Sequence, residues 1–212
     1  MAKIAPFEAH RNRYEQWFED NRFAYEAEIE AVRLLLPKGG KGLEVGVGTG
    51  RFAVPLGVFT GLEPSPAMAE IARAKGVNVV EGVAEALPFS AEEFDFILMV
   101  TTICFLDDID AAFKEAWRVL KPGGHVVIGF VDRESPLGQK YETARSENVF
   151  YREATFYSVP EVLAHLEGNG FGEFAFAQTI FRDLSEIQGP EPVKEGYGEG
   201  SFVVIRAKKI SC

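Results

Sequence analysis

Within the stretch LEVGVGTGRF, Leu43–Phe52, an acidic residue and three glycines (Glu44, Gly46, Gly48, Gly50) occupy every second position of an otherwise apolar run. Glycine lacks a Cβ, so the backbone can turn sharply and a ligand can come close to it. A glycine-rich turn leading from a strand into a helix aims backbone N–H groups at whatever sits beyond the strand end. Glu63 closes the next strand-like run. A carboxylate there can accept the two hydroxyls of a ribose side by side. A dinucleotide fingerprint would read G-x-G-x-x-G and rest a pyrophosphate on the helix N-terminus. Here Gly50 comes one place early and Arg51 stands where the third glycine belongs. The chain also has no Tyr-x-x-x-Lys. At this level a nicotinamide-dependent oxidoreductase and a non-catalytic cofactor-binding module both stay open.

These residues need elements to hold them. Tyr14, Trp17, Phe18, Tyr25, Ile29, Val32 and Leu36 recur at helical period and predict one amphipathic helix over about 14–36, stopped by Pro37 and Gly39-Gly40. Strand-like runs then alternate with helical ones. The strands are 42–47, 59–62, 77–80, 94–100 and 126–131, and the helices 51–57, 66–75 and 109–120. That rhythm predicts an α/β fold, a doubly wound parallel sheet with helices on both faces. FDFILMV (94–100) is apolar nearly throughout, as a central strand should be. LKPGG (120–124) reads as a helix stop and turn. Residues 132–157 carry charge and aromatics without a clear period and read as a cap insert. A helix at about 159–169, a strand at 172–181, a turn-rich loop at 189–200 and a strand at 201–209 follow. The last two strands, joined without a helix, predict an antiparallel hairpin at the sheet edge. One domain over 1–212 is expected, with an N-terminal helical lid over about 1–38.

Composition narrows the class. Hydrophobic residues make up 47% and charged ones 25%, an ordinary globular balance. A formal charge of -10 disfavours a nucleic-acid partner, since an acidic surface repels phosphates. The two cysteines, Cys104 and Cys212, form no metal or redox spacing. The polar N-terminus does not read as a signal peptide, and no apolar run reaches the roughly 18 residues of a membrane span. A cytoplasmic protein without membrane or metal is expected.

In ordered blocks over about 40–130 the chain resembles the class I S-adenosylmethionine-dependent methyltransferases, in particular the small-molecule group that includes the ubiquinone/menaquinone-biosynthesis enzymes. LEVGVGTGRF is similar to that family's first motif, GLEPSPAM to its second and EGVAEALPF to its third. FDFILMV and RVLKPGGHVVI are similar to its fourth strand, following helix and fifth strand. The resemblance implies a Rossmann-like seven-stranded sheet of order 3-2-1-4-5-7-6 with strand 7 antiparallel. It implies S-adenosylmethionine as cofactor and direct in-line methyl transfer to a small-molecule acceptor, by a monomer or homodimer. It places Glu63 on the ribose, Met68 against the adenine and Ala84 on its edge, with Pro64 also at the cofactor. Val83 replaces the usual aspartate of the third motif, so Glu85 or the backbone at Ala84 would read the adenine instead. Gly46, Gly48 and Gly50 would receive the amino-acid end, with Glu44 organising their turn.

Val100 and Thr101 are expected at the cofactor, and substrate in such a fold enters at that strand end, beneath the lids. No Asn/Asp-Pro-Pro-aromatic turn for base methylation and no metal-binding aspartate stands at that strand end. Asp107 and Asp108 read as caps of the helix from Ile109. Tyr14 and Phe18 are expected to approach the cofactor. Trp17, Tyr141, Phe150, Tyr151, Phe156 and Tyr157 could line a chamber for a flat or amine-bearing ligand. No general base is evident among His10, His125 and His165.

Overall fold

The computed structural model describes residues 3–210, so Cys212 lies outside the described residues. One mixed sheet runs through the chain in the order β3-β2-β1-β4-β5-β8-β6-β7. The strands are β1 (Gly42–Val45), β2 (Thr60–Glu63), β3 (Asn78–Glu81), β4 (Phe94–Val100), β5 (Leu120–Val131), β6 (Phe171–Thr179), β7 (Lys194–Glu195) and β8 (Phe202–Lys209). β1 to β5 pair in parallel, and β8 runs antiparallel to both β5 and β6. This is the Rossmann-like order that the motifs imply, with one addition. β7 pairs two residues with the outer side of β6. The reason is Gln178, which is buried in β6 and organises the glycine-rich loop. Its Oε1 accepts from the N–H groups of Glu199 and Gly200, and its Nε2 donates to Glu195 O at 3.3 Å. The loop thereby covers a stretch of open edge.

β4 lies at the centre, and its side chains divide between two cores. Ile97 and Met99 pack with α6 (Ile109–Val119) and α8 (Val159–Gly168). Phe96, Leu98 and Val100 pack on the other face with α3 (Arg22–Leu35) and its neighbours. β5 begins six residues earlier than its apolar run suggests. LKPGG is no simple turn: Leu120 pairs with Phe94 and His125 with Phe96, so the excess chain bulges at Gly123, where φ is +73°. Lys121 Nζ holds the bulge through both oxygens of Asp95, each at 2.8 Å.

The N-terminal helix is three pieces, α1 (Ala5–Ala9), α2 (Arg11–Asp20) and α3. The break at Asn21 (φ −114°, ψ 39°) is closed by its own side chain, which donates to Trp17 O at 2.9 Å. Asn readily bonds nearby backbone in this way and so interrupts a period that otherwise continues. The insert is partly regular too. Ser135 caps α7 (Pro136–Thr143) by accepting from Gly138 N, and a 3₁₀ turn spans Tyr151–Glu153. Two helical turns burying only Leu137 and Gly138 are too short to write a periodic signature. No helix among the described residues is long and apolar enough to cross a membrane.

Gly129 of β5 makes room for Phe202 of β8. A Cβ at 129 would lie 2.8 Å from the Phe202 ring and 3.3 Å from Val100. Gly129→Ala should lose about 1–3 kcal/mol by overpacking. Urea unfolding of the single variants and of the pair with Phe202→Leu should show the pair losing less than the sum.

Candidate functional site

The turn after β1 is built as a bracket around Glu63. Gly46, Gly48 and Gly50 all take positive φ, +71°, +54° and +79°. Gly46 N–H and Val47 N–H donate to Leu62 O at 2.8 and 3.0 Å, and Gly50 N–H donates to Val47 O at 2.9 Å. Gly48 N–H donates to Glu63 Oε2, and Ser65 N–H to Glu63 Oε1, each at 2.9 Å. The N–H groups of Gly46, Val47, Gly48 and Gly50 are therefore met from within the chain, contrary to the expectation that they await a ligand. The carboxylate of Glu63 gathers that polarity and is 7% exposed. Burial raises its pKa, against the two backbone donors that lower it. Each of its oxygens retains accepting capacity for a further hydroxyl.

Glu44 stands behind the turn rather than in it. It is 1% exposed, accepts from Ala53 N–H, and has Oε2 without a partner. Burial, with the Glu63 charge adding to it, holds its carboxyl well above the usual range. Gly50 likewise faces away, toward Val77 and Ala72. A Cβ at Gly46 would meet Thr102 at 2.6 Å, and one at Gly48 would lie 3.3 Å from the Tyr14 hydroxyl.

In front of the turn lies a hollow of about 120 Å³, beyond the carboxyl ends of β1, β2 and β4. Gly46, Gly48, Glu63, Pro64, Met68, Val83, Ala84, Glu85, Val100 and Thr101 all line it. Glu85 Oε1 is already engaged there, accepting from Asp107 N–H at 2.9 Å and Asp108 N–H at 3.3 Å. Asp108 caps α6 as expected, accepting from Ala111 N–H. The roof is α1 and α2, which bring Ile4, Phe7 and Tyr14 over the space. The sequence reading missed Ile4 and Phe7 because a five-residue helix has no readable period. Phe7 is held by edge contacts with Phe105 and Tyr14, at 4.9 and 5.8 Å between ring centres. α2 is tied to the glycine turn by Glu15, which accepts from Thr49 Oγ1 and, at 3.0 and 2.7 Å, from Arg51. With this arm closed, the hollow is smaller than the roughly 300 Å³ at which ligand pockets begin.

A second chamber, of about 620 Å³, adjoins the first. Tyr14, Phe7, Phe105 and Thr101 belong to the walls of both. Thr101 has φ +50°, rare for a β-branched residue, and its N–H donates to Gly129 O at 2.8 Å. Such a conformation costs of order 1–3 kcal/mol and collects at functional sites. Phe18 lines this chamber and not the first hollow. Tyr141, Tyr151 and Phe156 form one wall, with the two tyrosine rings 4.4 Å apart. Glu28 of α3 is also in the wall, 4% exposed, with a pKa raised by burial to about 8. His10, His125 and His165 line neither space; His165 Nδ1 lies 2.9 Å from Asp110 instead.

The methyltransferase domain family matches residues 43–128. A crystal structure from Thermotoga maritima, of a SAM-dependent methyltransferase described as a "possible histamine N-methyltransferase", is 55% identical. It covers 97% of this chain and 99% of its own, with a TM-score of 0.95. An uncharacterized protein of Methanocaldococcus jannaschii is 45% identical over 204 residues, 96% of this chain and 98% of that protein. Demethylmenaquinone methyltransferase of Staphylococcus aureus is 37% identical over 189 residues, covering 82% and 72%. The chain belongs to the S-adenosylmethionine-dependent methyltransferases, and S-adenosylmethionine is its methyl donor.

Glu28 yields a pH test. Its folded pKa of about 8 exceeds the ordinary 4.5, so burying it carries no ionisation penalty below pH 4.5, and stability falls as pH rises from there to about 8. Between these limits the wild type should lose stability faster than Glu28→Gln, by at most about 1.4 kcal/mol per pH unit. Urea unfolding of both at pH 5, 6, 7 and 8 measures the difference; parallel curves would contradict the raised pKa. Glu44 and Glu63, shifted the same way, are present in both proteins and cancel.

Proposed function

We propose that this chain methylates a small molecule by direct in-line transfer, with the donor in the hollow over the glycine turn and the acceptor in the aromatic chamber. The bound donor supplies an electrophilic methyl on a cationic sulfonium. The chain's residues orient it, exclude water and align the acceptor, effects that can be worth several kcal/mol without a covalent residue. Glu63 takes the ribose hydroxyls with the accepting capacity that Gly48 and Ser65 leave it. Pro64, Met68 and Ala84, which line the same hollow, take the adenine. The backbone at Ala84 serves the adenine edge, Glu85 Oε1 being taken by Asp107 and Asp108 N–H, with Val83 where the family's aspartate would be. The carbonyls of Gly46 and Gly48, rather than their N–H groups, are left for the ammonium of the amino-acid end. Glu44 and Gly50 hold the turn from behind. Thr101, shared by both spaces, marks the place where methyl and nucleophile meet, and Tyr14 screens it from water.

The observation that carries this reading is the buried carboxylate of Glu63, pinned by two backbone donors at the rim of a glycine-walled hollow. Glu63→Ala should weaken S-adenosylhomocysteine binding by about 1.5–3 kcal/mol, the loss of charge-assisted bonds. Calorimetry measures it, and an unchanged affinity in a variant that melts like the wild type would remove Glu63 from the site.

A second reading of the acceptor, carbon methylation of a quinol, is favoured by the 37% identity to the Staphylococcus aureus enzyme. Transfer of labelled methyl to a demethylmenaquinol analogue, and to no amine, phenol or carboxylate in a panel, would select it.

A further inference from the structure

α3 buries an apolar face in which one residue is out of place. Ala24, Ala27, Ala31, Val32 and Leu35 are all buried, and among them stands Glu28 at 4% exposure. Its side chain forms part of the wall of the 620 Å³ chamber. No described residue donates a hydrogen bond to it or pairs with it, and its pKa shift has burial as its one cause. A buried carboxylate without a partner is costly, and buried polar groups in folded proteins almost always have one. A leucine would suit that face of the helix. The rest of the wall tells what would complete the group. The rings of Tyr141, Tyr151 and Phe156 stand on the insert side, and Trp17 and Phe18 on α2. Aromatic faces attract cations and do nothing for anions.

We propose that Glu28 is the anchor for a cationic end of the methyl acceptor, a small amine seated among these rings with its nucleophilic end toward Thr101. It rests on the methyl-transfer reading above, which the experiment below tests separately. An arriving cation displaces the carboxyl proton, leaving Glu28 as carboxylate paired with the ligand and one proton released to solvent. The other titratable groups facing the chamber are Arg13 and Asp20 of α2, both exposed, and Tyr14, Cys104, Tyr141, Tyr151 and Tyr157. Burial raises the last five further from neutrality, Cys104 and Tyr151 to about 12.

The test uses phenyltrimethylammonium, which keeps its charge at every pH and has no proton of its own to give. Its binding to the full chain saturated with S-adenosylhomocysteine is followed by calorimetry at pH 7 in buffers of different ionisation enthalpy. The wild type should bind it with release of close to one proton per site. Glu28→Gln should bind it at least tenfold more weakly with no proton released, and should bind S-adenosylhomocysteine as the wild type does. The neutral isostere tert-butylbenzene should not distinguish the two proteins. Equal affinity of wild type and Glu28→Gln for the cation, without proton release, overturns the proposal. So does a wild type that binds S-adenosylhomocysteine but no cation, and that result leaves the methyl-transfer reading standing. A wild type that fails to bind S-adenosylhomocysteine overturns that reading and this one with it.

Discussion

Two backbone N–H groups, from Gly48 and Ser65, converge on the carboxylate of Glu63, and the geometry at this end of the sheet follows from that convergence. One donor belongs to the turn after β1 and the other to the N-cap of α5 (Pro66–Ala74). The side chain therefore fixes two loops to each other at the place where two parallel strands end. The strands must be in register for this to happen, and they are, with Val45 beside Leu62. They must also sit close. Gly61 permits that, since a Cβ there would lie 2.6 Å from Val47. The three positive φ values of the turn are what let its N–H groups reach back to β2 rather than outward.

What could be read from the chain before its structure was whatever has a strong local signature. The glycine turn, Glu63 and the apolar run of β4 are all of that kind, and each lies where its pattern puts it. The strand order came from motif resemblance, not from periodicity, which cannot order strands. The failures are physical as well. The Asn21 break leaves the hydrophobic period of α2 and α3 intact, so a period cannot detect it. α1 and α7 are too short for a period, and β7 exists only because Gln178 folds a loop back. Glu28 was within reach. It lies three residues after Tyr25 and four before Val32, on the face that the periodic residues define. The alternating acids Glu26, Glu28 and Glu30 disguise it as part of a solvated surface.

The two cavities are made by different physics. The hollow over the glycine turn has strand ends and the turn itself as its floor, with Phe7 and Tyr14 above. The chamber beside it is framed by large rings from α2, the insert and the ends of β4 and β5. Backbone walls do not change much when outlying residues do, whereas a wall of rings is redrawn by each substitution. In the proposed reading, such a construction keeps the donor subsite while letting the acceptor subsite vary. Thr101 stands at the seam, and the strain in its backbone is held there by Gly129 and the packed centre of the sheet.

Phe7 and Tyr14 roof both compartments at once. A single piece of chain, buried nowhere completely in α1, thus spans two adjoining spaces. If donor and acceptor occupy these spaces as proposed, the same two rings touch both guests, and a shift of either ring for one is felt by the other.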